Sequence, residues 1–171
     1  MAERFCLRVA GPADGPAVSS LLEASYTKLL ALGYDPDLLV KVLPLVTKAN
    51  SQLLVSGNFY VAQNQLDQFI GCGGWSKEEP GSGEIRQGVA HIRHFATHPD
   101  WIRQGVGQAL LSRCLEDAKA AAVRILECHS SFIAVDFYRA SGFVMIRPIE
   151  MQLPSNLAIP GVLMRRELRR E

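Results

Sequence analysis

The segment from Val89 to Ala122 constrains the fold of this chain more than any other. Val89–Thr97 reads as a strand that closes at His98-Pro99, and Gly105–Ala122 reads as a strong amphipathic helix. Val106, Leu110, Leu111, Cys114, Leu115 and Ala118 form its single apolar stripe. Between strand and helix lies Trp101-Ile102-Arg103-Gln104-Gly105-Val106-Gly107. A helix start leaves its first N–H groups unpaired and carries the positive end of the helix dipole. Glycine lets an anion approach that backbone closely, and Arg103 adds charge from the side. The spacing completes neither known phosphate fingerprint. Leu110 stands where a dinucleotide fold needs its third glycine, and the Gly-Lys-Ser/Thr of a P-loop is absent. On spacing alone, a tight strand-to-helix turn and an anion cradle are both open.

Around this unit the chain reads as β-α-α-β-β-β-α-β-α-β-β. Phe5–Val9 opens it; Asp14 caps a helix carrying Val18, Leu21, Leu22, Leu29 and Leu32, and a second helix runs from Asp37 to Leu54 with an interruption at Pro44. Phe59–Gln63 and Phe69–Trp75 make a hairpin. Val123–Cys128 is a buried strand, a helix capped by Ser130 or Ser131 runs through Tyr138 to Gly142, and Phe143–Leu153 and Val162–Leu168 close the chain. This order predicts an α/β protein with a mixed sheet and helices on both faces. No linker divides residues 1–171, so a single domain is expected.

Lys plus Arg number 18 and Asp plus Glu 17, which gives no electrostatic case for nucleic acid or an acidic membrane. No apolar run near 20 residues stands out as a membrane span, and the start lacks the apolar stretch of a signal peptide. The four cysteines are widely spaced, which suggests reduced thiols in a cytoplasmic protein.

The run Val89–Leu111 resembles the acyl-CoA-binding core of the GNAT N-acetyltransferase superfamily, whose motif is Gln/Arg-x-x-Gly-x-Gly/Ala after a strand ending near proline. Gly105 and Gly107 match its two glycines, and Ile102 stands where the family usually has Gln or Arg. Ala134–Phe143 is similar to the family's A-x-x-x-Y-x-x-x-G-F segment, with Ser131 where an Asn commonly precedes it. The resemblance implies the GNAT acyltransferase fold, a mixed, mostly antiparallel sheet of about seven strands, with a cofactor core at about 89–143. It implies acetyl-CoA as co-substrate and transfer of its acetyl group to a primary amine of a small molecule or peptide. By the family pattern, backbone amides from Gln104, Gly105, Val106, Gly107, Gln108 and Ala109, helped by Arg103, hold the pyrophosphate. The main chain of Phe95, Ala96 and Thr97 pairs with the pantetheine arm, with Ser131 and Tyr138 beside it. The final strands in this family often meet a second subunit, so a homodimer is an expectation.

Acetylating an amine requires removing its proton, stabilising the oxyanion and protonating the leaving thiolate. His91 is the candidate base, at a strand position where the family often carries Glu or His, and Arg93 on the same face is expected to favour its neutral form. Arg93 also offers attraction to an acceptor carboxylate. Tyr138 is the candidate acid. Tyr26, Tyr34 and Trp75 are candidates for the acceptor pocket. His91, His94 and His98 suggest a metal site, but strand alternation splits the first two and no carboxylate pair joins them at ligand spacing, so no metal is expected. Cys128 reads as a buried thiol rather than an acyl carrier. Two other functions fit the residues less fully: a non-catalytic acyl-CoA sensor on the same scaffold, and a nucleotide-phosphate-binding module.

Overall fold

Alternating apolar patterns resolve, in a computed structural model that describes residues 4–169, into seven strands and five helices. β1 (Phe5–Val9) leads through a short 3₁₀ turn to α1 (Gly15–Leu29), followed by α2 (Pro36–Val46) and α3 (Ser51–Val55). β2 (Phe59–Asn64), β3 (Phe69–Ser76) and β4 (Val89–Thr97) form a meander, and α4 (Val106–Ala120), β5 (Ile125–Ser130) and α5 (Val135–Ala140) follow. The hairpin β6 (Val144–Leu153) and β7 (Leu157–Glu167) ends the fold. One sheet holds all seven strands in the order β1-β2-β3-β4-β5-β7-β6. Every neighbouring pair is antiparallel except β4 with β5.

The two faces carry separate cores. Leu110, Leu111 and Cys114 of α4 pack with Tyr60, Ile92, Leu126 and Tyr138 on one face. Val18, Leu21 and Leu22 of α1 and Leu53 of α3 cover Phe59, Val61 and Cys72 on the other. Leu39 and Val42 of α2 meet Leu30, Tyr34 and Ile159, which seats α2 over the β6–β7 hairpin.

Asp14 does not cap α1 with its side chain; its carboxylate accepts the Gly11 N–H and pairs with Arg8. Pro44 does not interrupt the second helix. It sits on an exposed position inside α2, and Thr47 still donates to the Leu43 carbonyl, so the break falls at residues 47–50. Pro36–Val55 is long and apolar enough to cross a membrane by length and composition only, with a mean hydropathy of 1.3 over an 18-residue window, although Asp37, Lys41 and Lys48 interrupt it. In this fold it is the two helices α2 and α3. β7 starts at Leu157, five residues earlier than expected. Pro160 and Gly161 look like breakers, but only the β6 side is paired there, since β5 joins β7 from Val162 onward.

One feature of the sheet creates the site. β4 and β5 pair only at Val89↔Ile125, Ala90↔Leu126 and His91↔Glu127. Beyond His91 the two strands part. β4 is also bulged: Cys72 faces Ala96 and Gly74 faces Arg93, and His94 takes a left-handed φ of 49°.

Candidate active site

The parting of β4 and β5 opens a cavity of about 600 Å³. Arg93, His94 and Phe95 line it from β4, Cys128–Ser131 from the end of β5, and Tyr138 from α5. Tyr26 of α1 reaches in from the opposite face, and its hydroxyl donates to the Phe95 carbonyl at 2.9 Å. A cofactor arm pairing with β4 therefore shares that carbonyl or displaces the tyrosine. Ala96 directs its side chain into the core under α1, and Thr97 pairs with Gly71 beyond the cavity with its hydroxyl toward Gly107 at the helix start.

The helix start lies at the far end of β4. His98 closes the strand and accepts the Asp100 N–H on Nδ1 at 3.1 Å, which gives it a capping role. Arg103 and Gly105 both have positive φ, 58° and 87°, and Gly105 is the N-cap of α4. Ala109 donates the first α-helical bond, to the Gly105 carbonyl, so the amides ahead of it project from the helix end. Residues 102–105 are exposed, so no side chain seals the turn. Val106 is turned into the core and contributes only its amide. The Gln108 side chain is engaged with Ser141. Gly107 has a packing reason as well: a Cβ there would lie 3.3 Å from the Phe137 ring and 3.5 Å from Thr97 Oγ1.

Tyr138 is 4% exposed, stacks edge-on against Phe95, Phe137 and Phe143, and shares a hydrogen bond with the Cys128 thiol. Burial, reinforced by that thiol, drives its pKa well above 10, so the phenol keeps its proton. Burial also pushes Cys128 up to about 12, which leaves a protonated thiol and no acyl-accepting nucleophile.

His91 is 1% exposed and does not line the cavity. It sits where β4 and β5 last touch, with Nδ1 4.0 Å from Glu127 Oε2, and neither ring nitrogen has a hydrogen-bond partner. Burial lowers its pKa to about 4 against the pull of Glu127. Arg93 is not among the groups that shift it. That guanidinium turns to Ser76 Oγ, 2.9 Å from Nη1, and it is Arg86 that opposes the charge on His91. Of this pair it is His129 that lines the cavity, as His94 does from β4; His129 is edge-on to His91 with ring centroids 6.1 Å apart and Nε2 3.9 Å from Glu79 Oε1. Burial lowers its pKa too.

Reading the sequence missed this grouping. Glu79, His91, Glu127 and His129 bring one donor atom each within 4.8 Å of one another. Two histidines and two carboxylates are a metal-type donor set, unlike the His91–His94–His98 trio considered above. Its charge is already balanced, however: Glu127 accepts from Arg86 at 2.9 Å and from Arg165 at 3.0 Å. Burial alone would raise the Glu127 carboxyl, but the two guanidiniums outweigh it and hold the pKa below its usual value.

Two acceptor-pocket candidates fall elsewhere. Trp75 is buried in the core beneath α4. Tyr34 is a strut: its hydroxyl donates to the Pro160 carbonyl at 2.7 Å and accepts the Phe132 N–H at 3.1 Å, and its ring stacks on Phe132. Neither lines the cavity, whereas Tyr26 and Arg93 do.

The acetyltransferase (GNAT) domain family matches residues 55–145, more than half of the chain. The chain belongs to the GNAT family. No curated protein matches it by sequence. Among solved structures, this GNAT chain is similar to a GCN5-related N-acetyltransferase from Rhodopseudomonas palustris at 19% identity, with a TM-score of 0.75 over 98% of both chains. It is also similar to the PaiA N-acetyltransferase from Thermoplasma acidophilum, solved in complex with coenzyme A, at 13% identity and a TM-score of 0.70 over 98% of this chain and 99% of that one. A GNAT-family acetyltransferase from Staphylococcus aureus Mu50 gives 15% identity and 0.69 over 96% and 99%. These likenesses place the seven-stranded sheet with the GNAT fold.

Proposed function

We propose that this chain transfers the acetyl group of acetyl-CoA to a primary amine by direct attack in a ternary complex. The observation that carries this reading is the connection made by one strand. β4 runs from a cavity holding a buried phenol and a neutral imidazole to an exposed helix start with outward-facing amides. An anchored diphosphate at residues 103–109 would leave the pantetheine arm to follow β4 past Phe95 into the opening.

His129, at the cavity wall, takes the proton of the attacking ammonium. His91 lies behind it and exchanges protons with the cavity only through His129 or a water. The backbone N–H of Phe95, beside the bulge, steadies the oxyanion as the N–C bond forms. Tyr138 gives its proton to sulfur as the C–S bond breaks, the new amide nitrogen sheds its second proton to water, and the phenolate recovers one from solvent.

Thermal unfolding with coenzyme A and acetyl-CoA tests the reading, followed by thiol release over a panel of amines. A ligand at about 100 times its Kd stabilises by about 2.7 kcal/mol, roughly 5–10 °C for a domain of this size. Tyr138→Phe is expected to keep that shift and lose about 10²-fold or more in kcat. No shift at millimolar acetyl-CoA, or an equal shift with ATP, overturns the reading. A shift without thiol release from any amine assigns the chain to acyl-CoA sensing instead.

A further inference from the structure

The acceptor side of the cavity carries a charge that the chemistry above does not use. Arg93 lies two residues beyond the last β4–β5 pair, as His129 does on β5, so the parallel register sets the two side chains on opposite lips of the opening. The guanidinium is half-buried, and its hydrogen bonds run from Nη1 alone, to Ser76 Oγ at 2.9 Å and the Glu78 carbonyl at 3.4 Å. Among the described residues no carboxylate comes within 4.0 Å of it, whereas Arg86 and Arg165 are both paired with Glu127. No Asp or Glu lines the cavity. Glu78 acts on this guanidinium only from outside the cavity and beyond ion-pair distance, so a half-buried fork facing a hollow lined by no carboxylate favours an anion there, ideally a carboxylate that can meet its planar geometry. The opposite wall is apolar: Val42, Leu45 and Val46 of α2 with Met151, Leu153 and Ile159 of the terminal hairpin.

We infer that the acceptor is a free amino acid with an apolar side chain, its carboxylate held by Arg93, its amine presented to His129 and its side chain against the α2 wall. This rests on the acetyl-transfer reading for the role of the amine, and not for the binding of the carboxylate. The same arrangement disfavours polyamines, which find no acid in the cavity. It also disfavours peptide N-termini, whose nearest carbonyl is uncharged.

Thiol release is measured with L-leucine, L-methionine and L-phenylalanine, with their amides, with Leu-Gly and with spermidine. Binding is measured separately, by calorimetry of the same compounds against protein with and without coenzyme A. The free acids are expected to be preferred over their amides at least tenfold. Arg93→Gln should raise the KM or Kd of the acids tenfold or more and bring acid and amide to near equality, while the thermal shift with coenzyme A stays in place. Arg93→Lys should recover part of the preference, because the charge remains and the fork is lost. Amides, Leu-Gly or spermidine matching the acids in the wild-type protein overturn the inference, as does an Arg93→Gln loss shared equally by acid and amide. Absence of amino-acid binding by calorimetry overturns it too. Acid-selective binding without thiol release leaves it standing and refutes acetyl transfer.

Discussion

At the scale of single residues, the two imidazoles separate by position rather than by chemistry. Both are held neutral by burial. Only His129 touches the cavity. His129→Gln is therefore expected to lower kcat/KM about 10²-fold or more, and His91→Gln markedly less. The pH profile sharpens the comparison. The His129 pKa lies below 6.5, so the wild-type base stays unprotonated at neutral pH and the acid limb of kcat/KM falls below pH 6.5. That limb should disappear in His129→Gln and persist in His91→Gln. Equal losses in both variants, or a limb that follows His91, would return the proton transfer to the position first suggested by the strand motif. Sequence spacing found the strand correctly but not which histidine faces the opening. That distinction depends on where β5 leaves β4, and Glu79, Glu127 and His129 reach His91 only through pairings between distant segments.

At the scale of elements, the strand-turn-helix unit was legible because its requirements are local. A strand ending at proline, two glycines at a helix start and one apolar stripe all lie within a short window. The two glycines nevertheless do different work. Gly105 has φ +87° and open space around its Cβ position, so Gly105→Ala meets only backbone strain, about 1–2 kcal/mol of stability. Gly107 is helical, but a side chain there presses on Phe137, whose ring packs against Tyr138. Gly107→Val is expected to lose about 1–3 kcal/mol by overpacking and to weaken coenzyme A binding tenfold or more, measured by calorimetry. Gly105→Ala should keep most of its affinity. Similar affinity losses in both would mean that the turn's conformation, not clearance at Gly107, limits binding. The helices on the other side of the sheet were less legible. Pro44 and Pro160 look like breakers in the chain, yet each occupies a position where the missing N–H costs little, one on the outer face of α2 and one where β7 has no β5 partner.

At the scale of the whole molecule, the site couples stability to pH. His91 and His94 both have folded pKa values of about 4, lowered chiefly by burial, against an unfolded value near 6.5. Between those limits the unfolded chain binds protons that the folded chain refuses, so stability rises with pH across the window and is lost as pH falls from 6.5 toward 4. For His91 alone the shift corresponds to about 3 kcal/mol, a substantial share of the ~5–15 kcal/mol that holds a typical domain together. Glu127 acts in the same direction. Its pKa is held below the usual carboxylate value, so its contribution is present at neutral pH and lost when acid protonates it and breaks the Arg86 and Arg165 bonds. Urea midpoints should therefore fall steadily from pH 7 to 4.5, and His91→Gln should flatten that slope even if the variant is less stable at pH 7. A midpoint that stays level across this range would mean that water reaches the imidazole nitrogens and lets the folded chain take up the same protons, and that the cluster joining the two strands is not the dry junction its burial implies.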